Sequence, residues 1–149
     1  MENVWNSNYK SKQGNIGLGA AIAYYTSIGV PISIPLNDTQ PYDLIIDKNN
    51  KLQRVSIKTT RGTNKSGTRY IVQLRNTGGS SGVSRIRLFD NTSCDILFVL
   101  TQCGTMYEIP SDKIKVTGAL TLNEDWNQYI RTVNYGTSAQ LETTDVEEG

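Results

Sequence analysis

Residues 41–60 read PYDLIIDKNNKLQRVSIKTT, and this stretch decides the fold. Side chains two apart on a strand share a face, so the run Leu52–Thr59 sets Val55 and Ile57 against Arg54, Ser56 and Lys58. Tyr42–Asp47 reads as a second strand, apolar at its centre with an acid at either side. The intervening DKNNK has turn chemistry, and a hairpin there brings Asp43 near Lys58 across the pair. A carboxylate beside a lysine at a sheet edge suits metal-assisted hydrolysis. The acid holds a divalent cation such as Mg²⁺, the metal polarises a phosphate and acidifies a water, and the lysine orients or stabilises that nucleophile. An exposed ion pair has the same spacing, and spacing alone favours that plainer reading.

On the N-terminal side, residues 14–28 (GNIGLGAAIAYYTSI) place Leu18, Ala21, Ile22 and Tyr25 at helical spacing, with Gly29 as a C-terminal stop. This predicts a buried helix in which Gly17 and Gly19 leave room for a close approach of backbone or ligand. Val30–Leu36 alternates like a strand. On the C-terminal side, Tyr70–Arg75 and Ser84–Phe89 flank NTGGSSGV, which predicts a hairpin with a mobile tip. Cys94–Thr101 (CDILFVLT) reads as a central strand covered on both faces, with Thr105–Ile109 paired to it through Gly104. A second helix is expected from Asn123, with Trp126, Tyr129, Ile130 and Val133 as its stripe. The expected class is α/β: a mixed sheet of about six strands with the Leu18 helix on one face. One domain spans 1–135, and residues 136–149 form an acidic tail with the composition of disorder.

The hydrophobic fraction of 37% and charged fraction of 19% suit an ordinary soluble domain. No apolar run approaches the roughly 20 residues needed to span a bilayer, and MENVWNSNYK has no signal-type apolar core. A cytoplasmic location without membrane attachment is therefore expected, with Cys94 and Cys103 reduced. Histidine is absent. That excludes Ser-His-Asp triads, Cys-His pairs, zinc–histidine sites and a histidine general base. Any catalysis must use carboxylates, lysine, hydroxyls and a metal.

The net charge of +1 hides an asymmetry. Between Arg54 and Arg87 lie Arg54, Lys58, Arg61, Lys65, Arg69, Arg75, Arg85 and Arg87 with no acid, whereas the chain beyond Thr121 carries Arg131 alone against Glu124, Asp125, Glu142, Asp145, Glu147 and Glu148. Such a block points to nucleic acid. Arg61, Lys65 and Arg69 follow Lys58 in a polar loop. Arg75, Arg85 and Arg87 fall on the expected hairpin, with Arg85 and Arg87 on one face and Ile86 and Leu88 free to pack on the other. A two-stranded ribbon fits the major groove, where arginine reads guanine and Gln73, sharing a face with Arg75, reads adenine. A solvated basic face is the competing explanation. Tyr24 and Tyr70 are expected in or beside the core, and Asp47, Asp95 and Glu108 as structural polar groups.

PYDLIID followed by RVSIKTT resembles the PD-(D/E)XK nuclease motif. The ordered set GNIGLGAAIAYYTSIGV, IPLNDTQPYDLIID, VSIKTT and CDILFVLTQCGTMYEIP is similar to the intron-associated homing endonuclease branch of that superfamily. The resemblance implies a restriction-endonuclease-like core with a basic β-hairpin for DNA, and a Mg²⁺-dependent, site-specific endonuclease acting on double-stranded DNA. It assigns Asp43 as principal metal ligand, Lys58 as the motif lysine and Ser56 as the middle motif position, with the Ile57 backbone carbonyl as a further ligand. Ser56 departs from the Glu, Asp or Gln usual there, and Leu18 stands where many relatives carry Glu, leaving Gln13 as the nearest polar residue. One active site cuts one strand, so a double-strand break implies a homo-oligomer, a dimer or tetramer, with Trp126 and Tyr129 as interface candidates. Two other readings remain: a non-cleaving DNA-binding protein on the same fold, and a junction resolvase.

Overall fold

The computed structural model describes residues 3–6, 10–77 and 86–136. The tail from 137 onwards and Arg85 therefore lie outside the described residues. The first long element is helix α1, Lys10–Ser27. It ends as its sequence predicts: Gly29 takes a positive φ of 71°. The Val30 N–H donates to the Tyr25 carbonyl (2.9 Å) and the Gly29 N–H to that of Thr26 (3.0 Å), the paired bonds of a Schellman stop.

Strand β1 (Ile32–Ser33) follows, then β2 (Leu44–Lys48) and β3 (Lys51–Thr60). The β2–β3 hairpin pairs Lys48 with Lys51. Asn49 and Asn50 between them both have positive φ, 55° and 58°. That is the two-residue turn whose twist matches antiparallel strands, and asparagine tolerates it better than most residues. The Val30–Leu36 strand is much shorter than its alternation suggests. Pro31 and Pro35 bracket β1, and each lacks the N–H a ladder needs. Ile34 and Leu36 are left exposed.

Beyond β3 come β4 (Ile71–Gln73), β5 (Asn76–Thr77) and β6 (Ile86–Arg87). They precede β7 (Ile96–Thr101) and β8 (Met106–Pro110), which turn about Gly104 at φ 91°. The main sheet has six strands: β1, β2, β3, β7, β8 and, at the far edge, β10 (Ile130–Arg131). The β3–β7 pair is parallel and its neighbours are antiparallel, so the sheet is mixed. Strand β9 (Ala119–Thr121) pairs with β4 as a separate ribbon.

Two cores explain the unbroken apolar run of β7. Phe98 and Leu100 face α1 with Ala21, Tyr24, Tyr25, Leu44, Ile46 and Val55. Leu97 and Val99, with Ile109 of neighbouring β8, point to the other side and cluster with Val72, Leu74, Ile114 and Leu120. A strand covered on both faces has no position left for a polar residue. The rings of Tyr24 and Tyr25 lie 6.1 and 6.0 Å from Phe98, at distances favourable for aromatic pairs.

Several expectations are corrected. The second helix is a 3₁₀ turn, Glu124–Tyr129, followed directly by β10. Asn123 does cap it, its side chain accepting the Asp125 N–H. Trp126 and Tyr129, three apart, eclipse in a 3₁₀ turn, and both pack on the second core. Ile130 then reverts to strand, where the open edge of β8 offers backbone partners. Among the described residues the basic hairpin is the pairing of β5 with β6, Asn76 opposite Arg87, and its expected tip lies outside them. The preceding β4 pairs elsewhere, because the buried side chains of Val72 and Leu74 hold it on the core. Ile86 and Leu88, expected to pack, are exposed. Cys94 and Cys103 are free, one buried and one exposed. Among the described residues no helix is long and apolar enough to cross a membrane.

Gly17 lies where α1 meets β3. A Cβ there would stand 2.6 Å from Thr59 Cγ2 and 3.0 Å from Ile57 Cγ2, two stiff β-branched side chains. Gly17→Val should destabilise the fold by roughly 1–3 kcal/mol, the range for overpacking, which exceeds the few tenths gained in helix propensity. At Gly19 a Cβ meets nothing within 4 Å, so Gly19→Ala should add up to about 1 kcal/mol. Chemical denaturation of both variants checks the pair of opposite signs.

Candidate active site

Asp43 immediately precedes β2, at the end of the strand away from the Asn49–Asn50 turn. Its N–H donates to the Val55 carbonyl at 2.8 Å, although Leu44 is the register partner of Val55. Two residues thus oppose one, the count of a β-bulge, a device that re-aims a side chain at the end of a ladder. The carboxylate folds back onto β3, and its Oδ2 accepts the Ile57 N–H at 2.7 Å. On a strand the N–H and C=O of one residue point to the same edge. The Ile57 carbonyl therefore opens on the edge of β3 that β2 has left, beside the Asp43 carboxylate.

Lys58 is not paired with that carboxylate. Its Nζ donates to Asn76 Oδ1 at 2.7 Å. Burial pushes the Lys58 ammonium below the usual lysine range, and the negative charge of Asp43 opposes that shift. The two groups lie within electrostatic reach, yet no ion pair joins them. Ion pairs form elsewhere instead: Arg54–Asp95, Arg69–Glu124 and Arg131–Glu108.

Two adjoining clefts connect these groups. The first, of ≈ 630 Å³, is walled by Leu18, Asp38, Gln40, Asp43 and Ile57 among others. The second, of ≈ 500 Å³, is walled by Gln13, Lys58, Arg61 and Gln73 among others. Gly14 and Ile57 line both, so one groove runs from Asp43 past Ile57 to Lys58 and on to the basic loop. Ser56 is buried and lines neither cleft. Asp38, Gln40 and Asn76 carry no signal of their own in the sequence: the loop before β2 folds Asp38 and Gln40 onto the first cleft, and Asn76 reaches the site through its bond to Lys58.

The donors suit a hard cation. Asp43 offers a carboxylate and Ile57 a carbonyl. Gln40 Oε1, in the same cleft, is buried without a hydrogen-bond partner. Among the described residues no three Asp, Glu, Cys or His side chains converge. Such a sparse all-oxygen set fits Mg²⁺, which keeps several waters and uses one or two carboxylates plus substrate phosphate.

The basic residues divide. Arg61 is exposed at the groove, its Nη1 donating to the Trp5 carbonyl at 2.8 Å. Lys65 is exposed on the loop tip that Asn64 ties together by accepting the Thr68 and Arg69 N–H groups. Arg69 is engaged by Glu124 at 2.9 Å. Gln73 and Arg75 are both exposed, alternating with buried Val72 and Leu74. The Arg75 guanidinium lies against Gly118, where a Cβ would stand 3.2 Å from Nε. Arg87 is exposed on β6 opposite Asn76. Arg54 of the basic block is structural: its backbone N–H and Nε both donate to Asp95 Oδ2.

A likeness to solved structures accompanies this geometry. A bacterial homing endonuclease, I-Ssp6803I, superposes with a TM-score of 0.68 at 24% identity, over 78% of this chain and 80% of that one. At that identity the likeness speaks for the fold. No curated protein sequence matches the chain. The family model for PD-(D/E)XK endonuclease matches residues 8–141, nearly the whole length and all of the groove just described. The chain belongs to the PD-(D/E)XK endonuclease family.

Proposed function

We propose that this protein is a site-specific endonuclease that hydrolyses double-stranded DNA with the help of a divalent cation, and that its role is homing. The observation that carries this reading is the separation of Asp43 from Lys58. A structural ion pair would close the two groups on each other. Here each is held by a neutral neighbour, the Ile57 N–H and the Asn76 amide, and both charges stay available to a phosphate and its nucleophile.

Asp43 and the Ile57 carbonyl would hold Mg²⁺, with Asp38 and Gln40 on the wall of the same cleft. When bound, the ion supplies positive charge to the scissile phosphate and lowers the pKa of water. Lys58 orients the attacking water and stabilises charge developing on the phosphate. Ser56 supports β3 from within and touches neither ion nor DNA. Arg61 and Lys65 grip backbone phosphates at the mouth of the groove, with Arg69 joining them on release from Glu124. Gln73, Arg75 and Arg87 face base edges or flanking phosphates on the ribbon side, and Arg85, outside the described residues, is proposed as a further DNA contact from its sequence alone. Two or more copies act together, because each groove cuts one strand. The homing role rests on the likeness to a bacterial homing endonuclease.

A non-cleaving DNA-binding protein is the second reading, favoured by Leu18 in the cleft and by Ser56 outside it. Incubation with duplex DNA, with and without Mg²⁺, separates them. Cut ends that need Mg²⁺ support the endonuclease. Salt-sensitive binding without ends supports the alternative, and a preference for four-way junctions over linear duplex indicates a resolvase.

A further inference from the structure

We infer that Asn76 is the positioning residue for Lys58, so that the basic hairpin is a working part of the active site as well as its DNA grip. The inference rests on the endonuclease reading of the groove. Lys58 projects from β3 on the face away from α1, and a lysine stem has four rotatable bonds whose ordering must be enforced by a partner. Among the described residues its ammonium finds no carboxylate within ion-pair distance. The bond to Asn76 Oδ1, at 2.7 Å, is what fixes it.

Asn76 is placed for that task by the hairpin. It is the first residue of β5, two residues after Leu74, which is 1% exposed in the second core. The root of the hairpin is therefore anchored. In the two-stranded ladder Asn76 stands directly opposite Arg87. A ribbon that docks on DNA through Arg87 thus bears on the residue that holds Lys58. The contact is also of a suitable chemical kind. A neutral amide oxygen holds the ammonium without cancelling its charge, whereas a carboxylate in its place would compete with the phosphate for it.

Asn76→Ala removes the acceptor, and Asn76→Gln keeps a neutral amide oxygen on a side chain one methylene longer. For Asn76→Ala we expect kcat for duplex cleavage to fall about 10- to 100-fold, as is typical when the partner that orients a reacting group is lost, with DNA affinity unchanged within about twofold. Asn76→Gln should recover a good part of kcat. In the metal-free protein, the NMR order parameter of the Lys58 Cε methylene should drop in Asn76→Ala and rise again in Asn76→Gln. If Asn76→Ala loses DNA affinity in step with cleavage, or if Asn76→Gln is no better than Asn76→Ala, Asn76 is a DNA contact or a hairpin prop and the inference is overturned. An unchanged order parameter overturns it as well. Should the wild type leave DNA uncut while the order parameter still falls in Asn76→Ala, the positioning role stands and the endonuclease reading is what fails.

Discussion

Asp43→Asn should lower cleavage of duplex DNA on the order of a thousandfold or more while leaving the protein folded and able to bind DNA. The size follows from what is removed. A carboxylate that holds a divalent ion contributes several kcal/mol of transition-state stabilisation, and each 1.36 kcal/mol is a factor of ten in rate. The fold survives because asparagine retains an oxygen for the Ile57 N–H, the hydrogen bond that Oδ2 makes among the described residues. DNA affinity measured without metal should stay level or rise, since a negative charge beside the phosphates has gone. Parallel cleavage and binding titrations check both halves. A variant that cuts at the wild-type rate would remove Asp43 from the chemistry. One that loses binding and cutting together would make it a docking residue.

The second large effect is expected at Lys58, where activity and stability should move in opposite directions. Lys58→Met keeps the apolar stem and deletes the ammonium. Cleavage should fall about a hundredfold or more, the range for removing a preorganised electrostatic partner. Stability at neutral pH should be unchanged or higher. The sign comes from the direction of the Lys58 shift: burial holds its ammonium below the ordinary lysine value. A group whose folded pKa lies below its unfolded one is penalised for its charge. The penalty is fully present at pH below the folded value and is relieved as pH rises towards the unfolded value near 10.5. At neutral pH the wild type carries it and the methionine variant does not. A melting temperature for Lys58→Met well below wild type would instead mark the lysine as structural.

The elements legible in the sequence are those whose signal is local. Asn49–Asn50 between two alternating runs specifies its own turn, Gly29 ends α1 through its own φ, and the uninterrupted β7 run states that both of its faces are covered. Strand period and hairpin pairing foretold that Asp43 and Lys58 lie within electrostatic reach, but not that each is held by a different neutral neighbour. The features that escaped depend on distant partners. Strand β4 joins β9 across some fifty residues, for which no pattern around Ile71 gives notice. The helical spacing around Trp126 is equally that of a 3₁₀ turn, and only the open edge of β8 makes Ile130 a strand. Alternation through Ile34 and Leu36 promised burial, but the flanking prolines end the ladder first. Asn76 was invisible as a site residue because nothing in NTGG distinguishes a hairpin root from one that holds a lysine. The bulge at Asp43, which aims the carboxylate, has no signature beyond the aspartate itself.

The proposed function makes one physical demand: a divalent ion must fit at the edge β2 leaves open, between the Asp43 carboxylate and the Ile57 carbonyl and within reach of Lys58. The most direct test is the anomalous scattering of Mn²⁺ bound in crystals of the protein with duplex DNA. We expect a peak at metal–oxygen bonding distance, about 2.1 Å for a Mg²⁺-like ion, from Asp43 and Ile57. A peak elsewhere, or an edge that stays empty at saturating metal while DNA occupies the groove, would contradict it.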